Sequence, residues 1–475
     1  MKEDVWSHVS IILPTKNEEE NIEGVLSDII GCNGVHPLDI LVVDDSDNSE
    51  TKKAVYKFGE EKSNDLLSLK VIEGMGKESP SIQKALTQSK KYSIVMDSDG
   101  SHPAIIIPYM VEAIESGVDV AVGSRYTEGG QRGSSSIISV VGNMFVRPFL
   151  GLKTKELTSR FIMSTKKILL KSSTWDSRGD NALDVINHAE KMGYVIEEIP
   201  FRHGERMGGK STTNIPKYLL MFFKRIMRIK LDRYRPFSET YIARALSGQY
   251  AAETASSNSN WNVSVLYNMQ IPLSLFFGLM AFLPVFSSVF SMFAQNYPSG
   301  IIGFFLRNMY WRNKLGYCGQ DVFIDQGVII YPNARSVRID RGTYIDMGAK
   351  LICSDGVLRI GKYCHIGSDV YMNCKPYIDI GDYVCIDHGS KIFASTNKPG
   401  VGRIASYSCV APLDYQELTY VGVTIGDFAF IAPNSVLTCA DVGENSIVGA
   451  ISFVKSDVAS NTIAGGVPTK TIKFR

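Results

Sequence analysis

Short apolar runs alternate with stretches of helical periodicity over the first half of the chain. The runs "VSIIL" (9–13), "ILVVDD" (40–45), "YSIVMD" (92–97) and "DVAVGS" (119–124) are rich in aliphatic residues, and the segments between them place apolar residues at helical spacing. This alternation predicts an α/β domain over residues 1–235 with a mostly parallel, Rossmann-like sheet. Ligands of such sheets bind beyond the carboxyl ends of the strands.

A six-residue apolar period replaces this pattern in the second half. Successive series with steps of six run through Ile339, Ile345, Leu351, Ile360, Ile366, Met372, Ile378, Ile380, Ile386, Ile392, Ile425, Ile431, Leu437, Val442, Val448 and Val454. The period matches neither a helix nor a simple strand and predicts an all-β parallel β-helix over residues 301–475, with three faces of six residues each. An interruption between about residues 394 and 420 predicts a long loop, and loops of that length in solenoids are usually functional.

The middle of the chain, residues 236–300, combines a polar linker with an apolar stretch. Residues 271–294 carry no charged side chain over a length that would cross a bilayer as a helix, but Pro272, Gly278 and Pro284 predict breaks in it. The preceding segment 217–235 is basic and amphipathic, which is typical of a helix on an anionic membrane surface or of a helix packed on its own domain. We interpret the apolar stretch as a helical, membrane-associated segment of re-entrant or interfacial type; the alternative is a buried interdomain helix.

Composition narrows the possible partners. The chain has 50 Lys plus Arg against 49 Asp plus Glu, a net charge of +1, so it has no global electrostatic reason to bind nucleic acid. Cys353, Cys364, Cys374 and Cys385 recur without the close pairs that structural zinc requires, and we interpret them as small buried side chains in a reducing compartment. The start "MKEDVWSHVSIILP" lacks a long apolar signal segment, so secretion is not expected.

Two aspartates directly follow one of the predicted strands. Asp97 and Asp99 in "MDSDGSHP" are separated by a single residue. Two carboxylates at this spacing can present oxygens to one hard divalent cation, which in turn bridges a diphosphate. The alternative is a solvated turn after the strand, so the wider context has to decide between the two.

That context resembles the inverting GT-A glycosyltransferases of family 2, and within them the dolichol-phosphate mannosyltransferase-like enzymes, over residues 8 to about 235. The matching segments, in the family's order, are "ILPTKNEEENI", "VVDDSDNS", "MDSDGSHP", "VGSRYTEGG" and "IPFRHGERMGGKS". The resemblance implies that the base and ribose of a nucleotide diphosphate sugar contact Pro14, Thr15, Glu18 and Asp45. It also implies that Mg²⁺ or Mn²⁺ is held by Asp97, Asp99 and Ser101.

Three cationic residues lie where this family faces phosphate: Arg125, Arg206 and Lys210. A guanidinium binds phosphate oxygens through paired N–H donors, although ordinary surface charge is the alternative. A polyprenyl phosphate acceptor brings an oxygen that is already anionic, so positioning and electrostatics suffice. A sugar hydroxyl acceptor requires a carboxylate base, for which Asp180 and Asp184 are the candidates.

The chain departs from the family pattern near the predicted acceptor. Glu156 stands where the family usually has Asp, Arg160 where it has Gly, and Thr212 where a Lys is common. Because these segments lie near the acceptor in the family, the departures affect the expected acceptor more than the expected class of reaction. The Gln-x-x-Arg-Trp motif of processive synthases does not occur in the sequence, which favours a single transfer per cycle.

The second half resembles the left-handed β-helix acyltransferases with hexapeptide repeats. Its ending "SNTIAGGVPTKTIKFR" is similar to the closing segment of acetyltransferases in that group. The resemblance implies a homotrimer that binds acetyl-CoA between adjacent prisms, with Lys470 facing the acetyl-CoA phosphates. It also implies that the long loop reaches over the acyl acceptor.

Acyl transfer requires a general base, most often a histidine near neutral pH. Many relatives carry that histidine in the long loop, where this chain has Asn397. His388, on the coil that carries the loop, and His365 are the other candidates, although a histidine at a solenoid corner is more often structural. Either His388 supports an O- or N-acetyltransferase, or the β-helix has lost catalysis and only trimerises the glycosyltransferase.

Nucleotide sugars and acetyl-CoA are both cytosolic, so both halves are expected at the cytoplasmic face of the membrane. The sequence therefore predicts a bifunctional enzyme of glycoconjugate or polysaccharide biosynthesis. The first half would transfer a sugar to polyprenyl phosphate or a saccharide acceptor, and the second half would acetylate a sugar. The alternative is a glycosyltransferase with a non-catalytic, trimerising β-helix.

Overall fold

The computed structural model describes residues 4–33, 36–62, 65–131, 145–172, 181–204, 215–232, 234–242, 261–280, 292, 296, 301–397 and 418–475. The chain forms two compact units, Met1–Ile229 and Lys230–Arg475. The helices in the described ranges are α1 (Ile22–Asn33), α2 (Glu50–Glu61), α3 (Glu78–Gln88), α4 (Ile107–Glu115), α5 (Lys166–Ser172), α6 (Asn181–Met192), α7 (Ile215–Asp232), α8 (Trp261–Met280) and α9 (Ile301–Lys314). Short 3-10 helices lie at Trp6–His8, Ala104–Ile106 and Ala334–Ser336.

A seven-stranded sheet forms the centre of the first unit. Its strands are β1 (Val9–Thr15), β2 (Leu38–Asp44), β3 (Leu67–Glu73), β4 (Tyr92–Val95), β5 (Val120–Ser124), β6 (Ile162–Thr165) and β7 (Ile196–Pro200). Their spatial order is β3-β2-β1-β4-β6-β5-β7. Neighbouring strands are parallel except at β6, which is antiparallel to β4 and β5. The α/β domain with a mostly parallel sheet is therefore confirmed.

Helices bury both faces of this sheet. Successive residues of a strand point to opposite faces, and on β1 Ile11 and Leu13 join one buried cluster while Ile12 joins another. Helices α1, α2 and α4 supply apolar side chains to the first cluster, and helices α3, α6 and α7 supply them to the second. Because both faces are covered, polar side chains that serve a ligand are left to the strand ends.

Helix α7 contains most of the basic amphipathic segment. Phe222 and Ile226 are buried in the core of the first unit, whereas Leu220 is 55% and Phe223 60% exposed. The helix therefore packs on its own domain through one side, as one of the two interpretations of this segment predicted. Its opposite side presents apolar surface to the exterior of the unit.

The second unit consists mainly of short strands. They are β8 (Tyr317–Cys318), β9 (Phe323–Ile324), β10 (Ile329–Pro332), β11 (Val337–Ile339), β12 (Tyr344–Ile345), β13 (Lys350–Cys353), β14 (Val357–Ile360), β15 (His365–Ile366), β16 (Tyr371–Asn373), β17 (Tyr377–Ile380), β18 (Cys385–Ile386), β19 (Lys391–Phe393), β20 (Ser395–Asn397), β21 (Leu418–Tyr420), β22 (Val423–Ile425), β23 (Phe430–Ile431), β24 (Val436–Thr438), β25 (Ile447–Val448), β26 (Phe453–Val454), β27 (Thr462–Gly465) and β28 (Lys470–Phe474). Three sheets contain all of them but β20 and β21, in the orders β10-β13-β16-β19-β24-β26, β22-β17-β14-β11-β8 and β28-β27-β25-β23-β18-β15-β12-β9. Within these sheets, antiparallel pairing in the described residues is confined to β27 with β28. Three parallel sheets of this kind fit the predicted β-helix.

The predicted interior positions of the β-helix are buried. Every aliphatic or methionine residue in the series from Ile339 to Val454 is at most 2% exposed. One face takes two inward residues per coil instead of one, as Leu358 and Ile360 show. The earlier coils are therefore longer than a strict period of six predicts, since Ile345 pairs with Ile366 over 21 residues, whereas Ile431 pairs with Val448 over 17.

At the predicted interruption, the chain departs from the β-helix and forms a two-stranded ribbon. Strands β20 and β21 are antiparallel, with Ser395 opposite Tyr420 and Asn397 opposite Leu418. Residues 398–417 between them lie outside the described residues. Coil stacking resumes directly, because Ile380 before the interruption pairs with Ile425 after it.

Helix α8 covers the first part of the apolar stretch. The helix continues through Pro272 and Gly278, so the breaks predicted at those residues are wrong. Pro284 lies outside the described residues. Contacts on both sides of the proline hold the helix to residues 234–242: the Gln270 side chain exchanges two hydrogen bonds of 2.9 Å with the Phe237 backbone, and the Ser274 hydroxyl donates to the Tyr234 carbonyl. The same helix exposes Leu266, Met269, Leu273, Leu275 and Phe276. Within the ranges that the structure describes, no helix combines the length and hydropathy required to span a bilayer.

Candidate active site

The ends of strands β1, β2 and β4 are tied together at one edge of the first unit's sheet. The N–H of Asp45, just after β2, donates to the Thr15 carbonyl at the end of β1 (2.9 Å). The Ser98 hydroxyl, between the two aspartates that follow β4, donates to the Pro14 carbonyl (2.7 Å). Because these are carboxyl ends of parallel strands, this edge is where ligands of such sheets bind.

The side chains predicted to contact base and ribose lie along this edge. Asp45 Oδ1 accepts a hydrogen bond from the Gly76 N–H (2.7 Å), which connects the β2 end to the loop before α3. Glu18, between β1 and α1, accepts from the Asn21 side-chain amide (2.5 Å), and its own N–H donates to the Thr51 hydroxyl (3.1 Å). The structure therefore places the predicted nucleotide-contacting residues in one region, while their roles stay predictions.

Asp44, the last residue of β2, binds neighbouring residues at the same edge through its carboxylate. It is buried, and it accepts hydrogen bonds from the Thr15 hydroxyl (3.0 Å) and from the N–H and hydroxyl of Ser46. Its Oδ2 has no hydrogen-bond partner among the described residues. The sequence places both Asp44 and Asp45 at this strand end, but the family resemblance implied a nucleotide contact for Asp45 only.

Asp97 and Asp99 follow β4 in a turn held by its own backbone. The Ser101 N–H donates to Asp99 Oδ1 (3.0 Å), and the Asp97 N–H donates to Nδ1 of His102 (2.9 Å). The described residues contain no group of three His, Cys, Asp or Glu side chains able to hold a metal ion. Mg²⁺ is nevertheless commonly bound by one or two carboxylates together with substrate phosphates. The pair Asp97 and Asp99 fits that mode.

His102 is a buried neutral base beside the two aspartates. It is 5% exposed, stacks on Phe161 with a 5.0 Å ring separation, and places Nε2 3.7 Å from Asp97 Oδ2. Burial is the main cause that lowers the His102 pKa from 6.5 to about 4, while the charge of Asp99 opposes the shift. A neutral imidazole with Nδ1 as acceptor therefore fixes the backbone of Asp97 at physiological pH.

Acidification from pH 7 to pH 5 is expected to destabilise the first unit through His102. Between pH 6.5 and 4 the unfolded chain binds a proton that the native histidine does not bind, so this stabilisation is complete above pH 6.5. It is lost as pH falls towards 4, by about 1.4 kcal/mol per pH unit within that window. Hydrogen exchange of the β1 and β4 amides at both pH values measures the slope. His102→Gln, which retains an acceptor, should flatten the profile; an unchanged slope in this variant would contradict the assignment.

Arg125 and Glu156 form a buried ion pair next to the aspartates. Arg125 Nε and Nη2 lie 2.9 and 3.0 Å from the two Glu156 oxygens, with the side chains 9% and 0% exposed. Burial opposes the charged form of both groups, but the mutual attraction outweighs it: the pKa of Glu156 lies below and that of Arg125 above its ordinary value. Thr158 adds N–H and hydroxyl donors to Glu156. Sequence reasoning recorded Glu156 only as a departure, and its role as partner of Arg125 was missed.

Arg160 lies directly on one of the aspartates. Its Nη2 is 2.8 Å from Asp97 Oδ1, and its Nη1 pairs with Glu78 at the start of α3. The sequence signal for this contact was the replacement of the family's glycine by a long cation.

Of the remaining residues of the first unit that the sequence analysis names, the structure describes Asp184. Asp184, a candidate base, is 7% exposed and forms an ion pair with Arg225 of α7, whose Nε lies 2.8 Å from its Oδ1. This placement disfavours Asp184 as a base for a bound acceptor. Arg206, Lys210, Asp180 and Thr212 lie outside the described residues.

His388 lies at an exposed corner of the β-helix. Its side chain is 59% exposed, and its Nδ1 is 2.7 Å from Oδ1 of Asp387. Burial alone would raise the Asp387 pKa, but hydrogen bonds from the His388 N–H and ring hold that pKa below its ordinary value. A carboxylate that accepts from Nδ1 leaves Nε2 available to take a proton, which is the arrangement a general base requires.

A second histidine lies on the neighbouring coil. His365 Nε2 is 2.9 Å from Asp346 Oδ2, and its Nδ1 is 3.8 Å from the Cys385 sulfur. Burial, with the charges of Asp387 and Asp346, raises the Cys385 pKa. Cys353, Cys364 and Cys374 are buried as predicted, whereas Cys385 is only half-buried.

The other residues predicted to serve acyl transfer, Lys470 and Asn397, lie in peripheral strands of the second unit. Lys470 begins the exposed strand β28. Asn397 ends the ribbon strand β20 next to the undescribed loop residues. Neither placement tests the predicted contact with acetyl-CoA or with an acyl acceptor.

The first unit combines an α/β sheet with acidic and cationic side chains at the carboxyl edge of its strands. The sequence profile of glycosyl transferase family 2 matches residues 10–178. A dolichol-phosphate mannosyltransferase of Pyrococcus furiosus is 30% identical over 246 residues, which cover 48% of this chain and 67% of the relative. The chain belongs to glycosyl transferase family 2.

Acyltransferases are also among the similar proteins. A putative acetyltransferase of Saccharomyces cerevisiae is 30% identical over 128 residues, which cover 26% of this chain and 64% of the relative. The solved structure of AntD, an N-acyltransferase from Bacillus cereus in complex with dTDP and 3-hydroxybutyryl-CoA, is 25% identical with a TM-score of 0.31, over 34% of this chain and 84% of that chain. Both kinds of relative expected from the sequence are therefore found.

Proposed function

We propose that this chain is a bifunctional enzyme of glycoconjugate assembly. Its first unit transfers a sugar, with inversion, from a nucleotide diphosphate sugar to polyprenyl phosphate, and its second unit acetylates a sugar from acetyl-CoA. The observation that carries the first activity is the convergence of Asp97, Asp99 and the buried Arg125–Glu156 pair at the carboxyl edge of the sheet. Family 2 membership and the similarity to a dolichol-phosphate mannosyltransferase support this donor and acceptor.

The arrangement of charges suits an anionic acceptor. One oxygen of a phosphate monoester is ionised at neutral pH, so it can attack the anomeric carbon without a side chain that accepts a proton. Attack from the face opposite the nucleoside diphosphate forms one C–O bond as the other breaks, and it inverts the configuration. Asp97 and Asp99 would hold Mg²⁺ or Mn²⁺, which when bound stabilises charge on the leaving diphosphate. Glu156 fixes the Arg125 guanidinium at this edge, where Arg125 interacts electrostatically with Asp97.

Exposed apolar surface supports a location at the membrane. Leu220 and Phe223 of α7 and the apolar side chains of α8 are exposed on their respective units. Interfacial helices bind membranes through such apolar faces and through flanking basic residues. We place the protein at the cytoplasmic face, where nucleotide sugars and acetyl-CoA are found.

A partition assay tests the glycosyl transfer. The purified chain is incubated with Mg²⁺, polyprenyl phosphate and a panel of radiolabelled nucleotide sugars, and the mixture is extracted with organic solvent. Label that enters the organic phase only when the lipid is present is the expected result. Donor consumption with all label in water would overturn the lipid acceptor in favour of a saccharide hydroxyl.

His388→Ala is expected to lower acetyl transfer from acetyl-CoA by about 10²–10⁴, because a positioned general base contributes that much. Release of free coenzyme A in the presence of candidate sugars measures the rate. His365→Ala distinguishes the two candidate bases, since it removes an imidazole that also pairs with a carboxylate but lies on the adjacent coil; a loss confined to His365→Ala would assign the base to His365 instead. Full activity of His388→Ala would remove His388 from the mechanism.

The alternative is that the β-helix acts only as a trimerising scaffold. The observation that favours it is Asn397 at the position where relatives carry the loop histidine. A trimeric mass by light scattering, together with no acetyl-CoA turnover by the wild-type chain, would establish the scaffold role. Turnover that depends on His388 would exclude it.

A further inference from the structure

Arg160 bridges two carboxylates at the predicted diphosphate site. Its guanidinium contacts Asp97 Oδ1 at 2.8 Å through Nη2 and Glu78 through Nη1. The side chains of Arg160 and Asp97 are 26% and 23% exposed, so the contact is open to solvent on one side. It lies where an incoming ligand would reach it.

Because of this contact, the Arg160 guanidinium would compete with a divalent cation for Asp97. A metal ion on Asp97 needs a carboxylate oxygen as its ligand, and Oδ1 already accepts from Arg160. The other oxygen, Oδ2, faces the ring of His102 at 3.7 Å. Two positive groups near one carboxylate repel each other, so they compete for Asp97.

The two arginines of this site differ in how deeply they are buried. Arg125 is buried and its Nε and Nη2 are both bound by Glu156, which is itself fully buried. Arg160 is more exposed and is anchored at one end by Glu78, which is 41% exposed. Loss of the Nη2 contact with Asp97 would not by itself remove the Nη1 contact with Glu78.

We propose that Arg160 exchanges partners when donor binds: it neutralises Asp97 in the donor-free site and turns to the donor's diphosphate oxygens when a divalent cation occupies Asp97. A guanidinium suits both states, because it offers paired N–H donors to carboxylate and phosphate alike. The exchange couples cation binding to donor binding. The inference rests on the proposed glycosyltransferase function and adds a donor-binding residue to it.

Binding experiments on the full-length chain test the exchange without turnover. Free Mn²⁺ is measured by electron paramagnetic resonance, first with protein alone and then with GDP, UDP or dTDP. Arg160→Gln should bind Mn²⁺ alone at least about tenfold more tightly than wild type, because a competing positive charge is removed. The same variant should bind the nucleoside diphosphate in the presence of Mn²⁺ about tenfold more weakly, since phosphate loses a bidentate partner.

Two further variants keep the test decisive. Lys53→Gln removes the same charge from an exposed pair with Glu50 on α2, and both affinities should match wild type. Arg160→Lys, which retains the charge without the paired donors, should keep weak Mn²⁺ binding and lose nucleotide affinity; it carries the test if Arg160→Gln does not fold. Mn²⁺ affinity within twofold of wild type in Arg160→Gln would overturn the exchange while leaving the proposed function intact. Failure of wild type to bind any of the nucleotides would overturn both.

Discussion

Replacing Glu156 with alanine is expected to lower the free energy of unfolding of the first unit by about 3–5 kcal/mol, because removal of one partner leaves the other charge buried and uncompensated. Arg125 is 9% exposed, and its Nε and Nη2 donate to the two Glu156 oxygens, while Nη2 also donates to the Thr158 hydroxyl. The variant also leaves the N–H groups of Thr158 and Ser159 without their acceptor. Hydrogen exchange of the β5 amides in the full-length chain reports the stability of this unit separately from the β-helix.

Two comparisons identify the cause of that loss. Glu23→Ala removes an exposed carboxylate from α1 and should change stability by less than about 0.5 kcal/mol. The double replacement Arg125→Met with Glu156→Leu should recover most of the stability, since apolar side chains often replace a buried ion pair without loss. A loss below about 1 kcal/mol for Glu156→Ala would mean that water reaches Arg125, contrary to the structure.

Asp99→Asn is expected to lower sugar transfer to polyprenyl phosphate by roughly 10²–10³, the usual effect of removing one group that stabilises charge in the transition state. The substitution removes one of the two carboxylates of the proposed cation site and keeps an oxygen for the Ser101 N–H. The fold should therefore persist. Initial rates of label transfer into organic solvent, at saturating and limiting Mg²⁺, measure the effect.

The control for this prediction is Asp28→Asn, which removes an exposed carboxylate of α1 and should leave the rate unchanged. Asp97→Asn provides a comparison of a different kind, because it also removes the partner of Arg160. Full activity of Asp99→Asn, with wild-type stability, would show that the reaction does not depend on this carboxylate.

Much of the fold was predictable because it follows from local periodicity. Apolar runs that end in polar residues identified β1, β2, β4 and β5, and the six-residue period identified the buried column of the β-helix. Both patterns are visible in the sequence because residues a few positions apart point into the same hydrophobic core. The length of the coils was less predictable, because one face accommodates two inward residues, Leu358 and Ile360, where a strict period allows one.

The site was predictable only in part. Asp97, Asp99 and Arg125 follow strands, and strand ends identify ligand-binding edges. The pairing of Arg125 with Glu156 joins residues 31 positions apart, and that of Arg160 with Asp97 joins residues about twice as far apart in sequence. Such pairs depend on how the sheet is assembled, so a single sequence shows the residues as departures without showing their partners. Pro272 is a similar case, because contacts of Gln270 and Ser274 keep α8 continuous through it.

The ribbon formed by Ser395–Asn397 and Leu418–Tyr420 has a consequence for how this protein can diversify. Coils before and after the ribbon pair directly with each other, so the stacked core does not depend on what the ribbon carries. Each doubling of loop length costs only about 0.6 kcal/mol of closure entropy. Segments of different length or composition can therefore be exchanged beyond the ribbon with little effect on folding. Selection can alter what the β-helix recognises without re-optimising the scaffold that presents it.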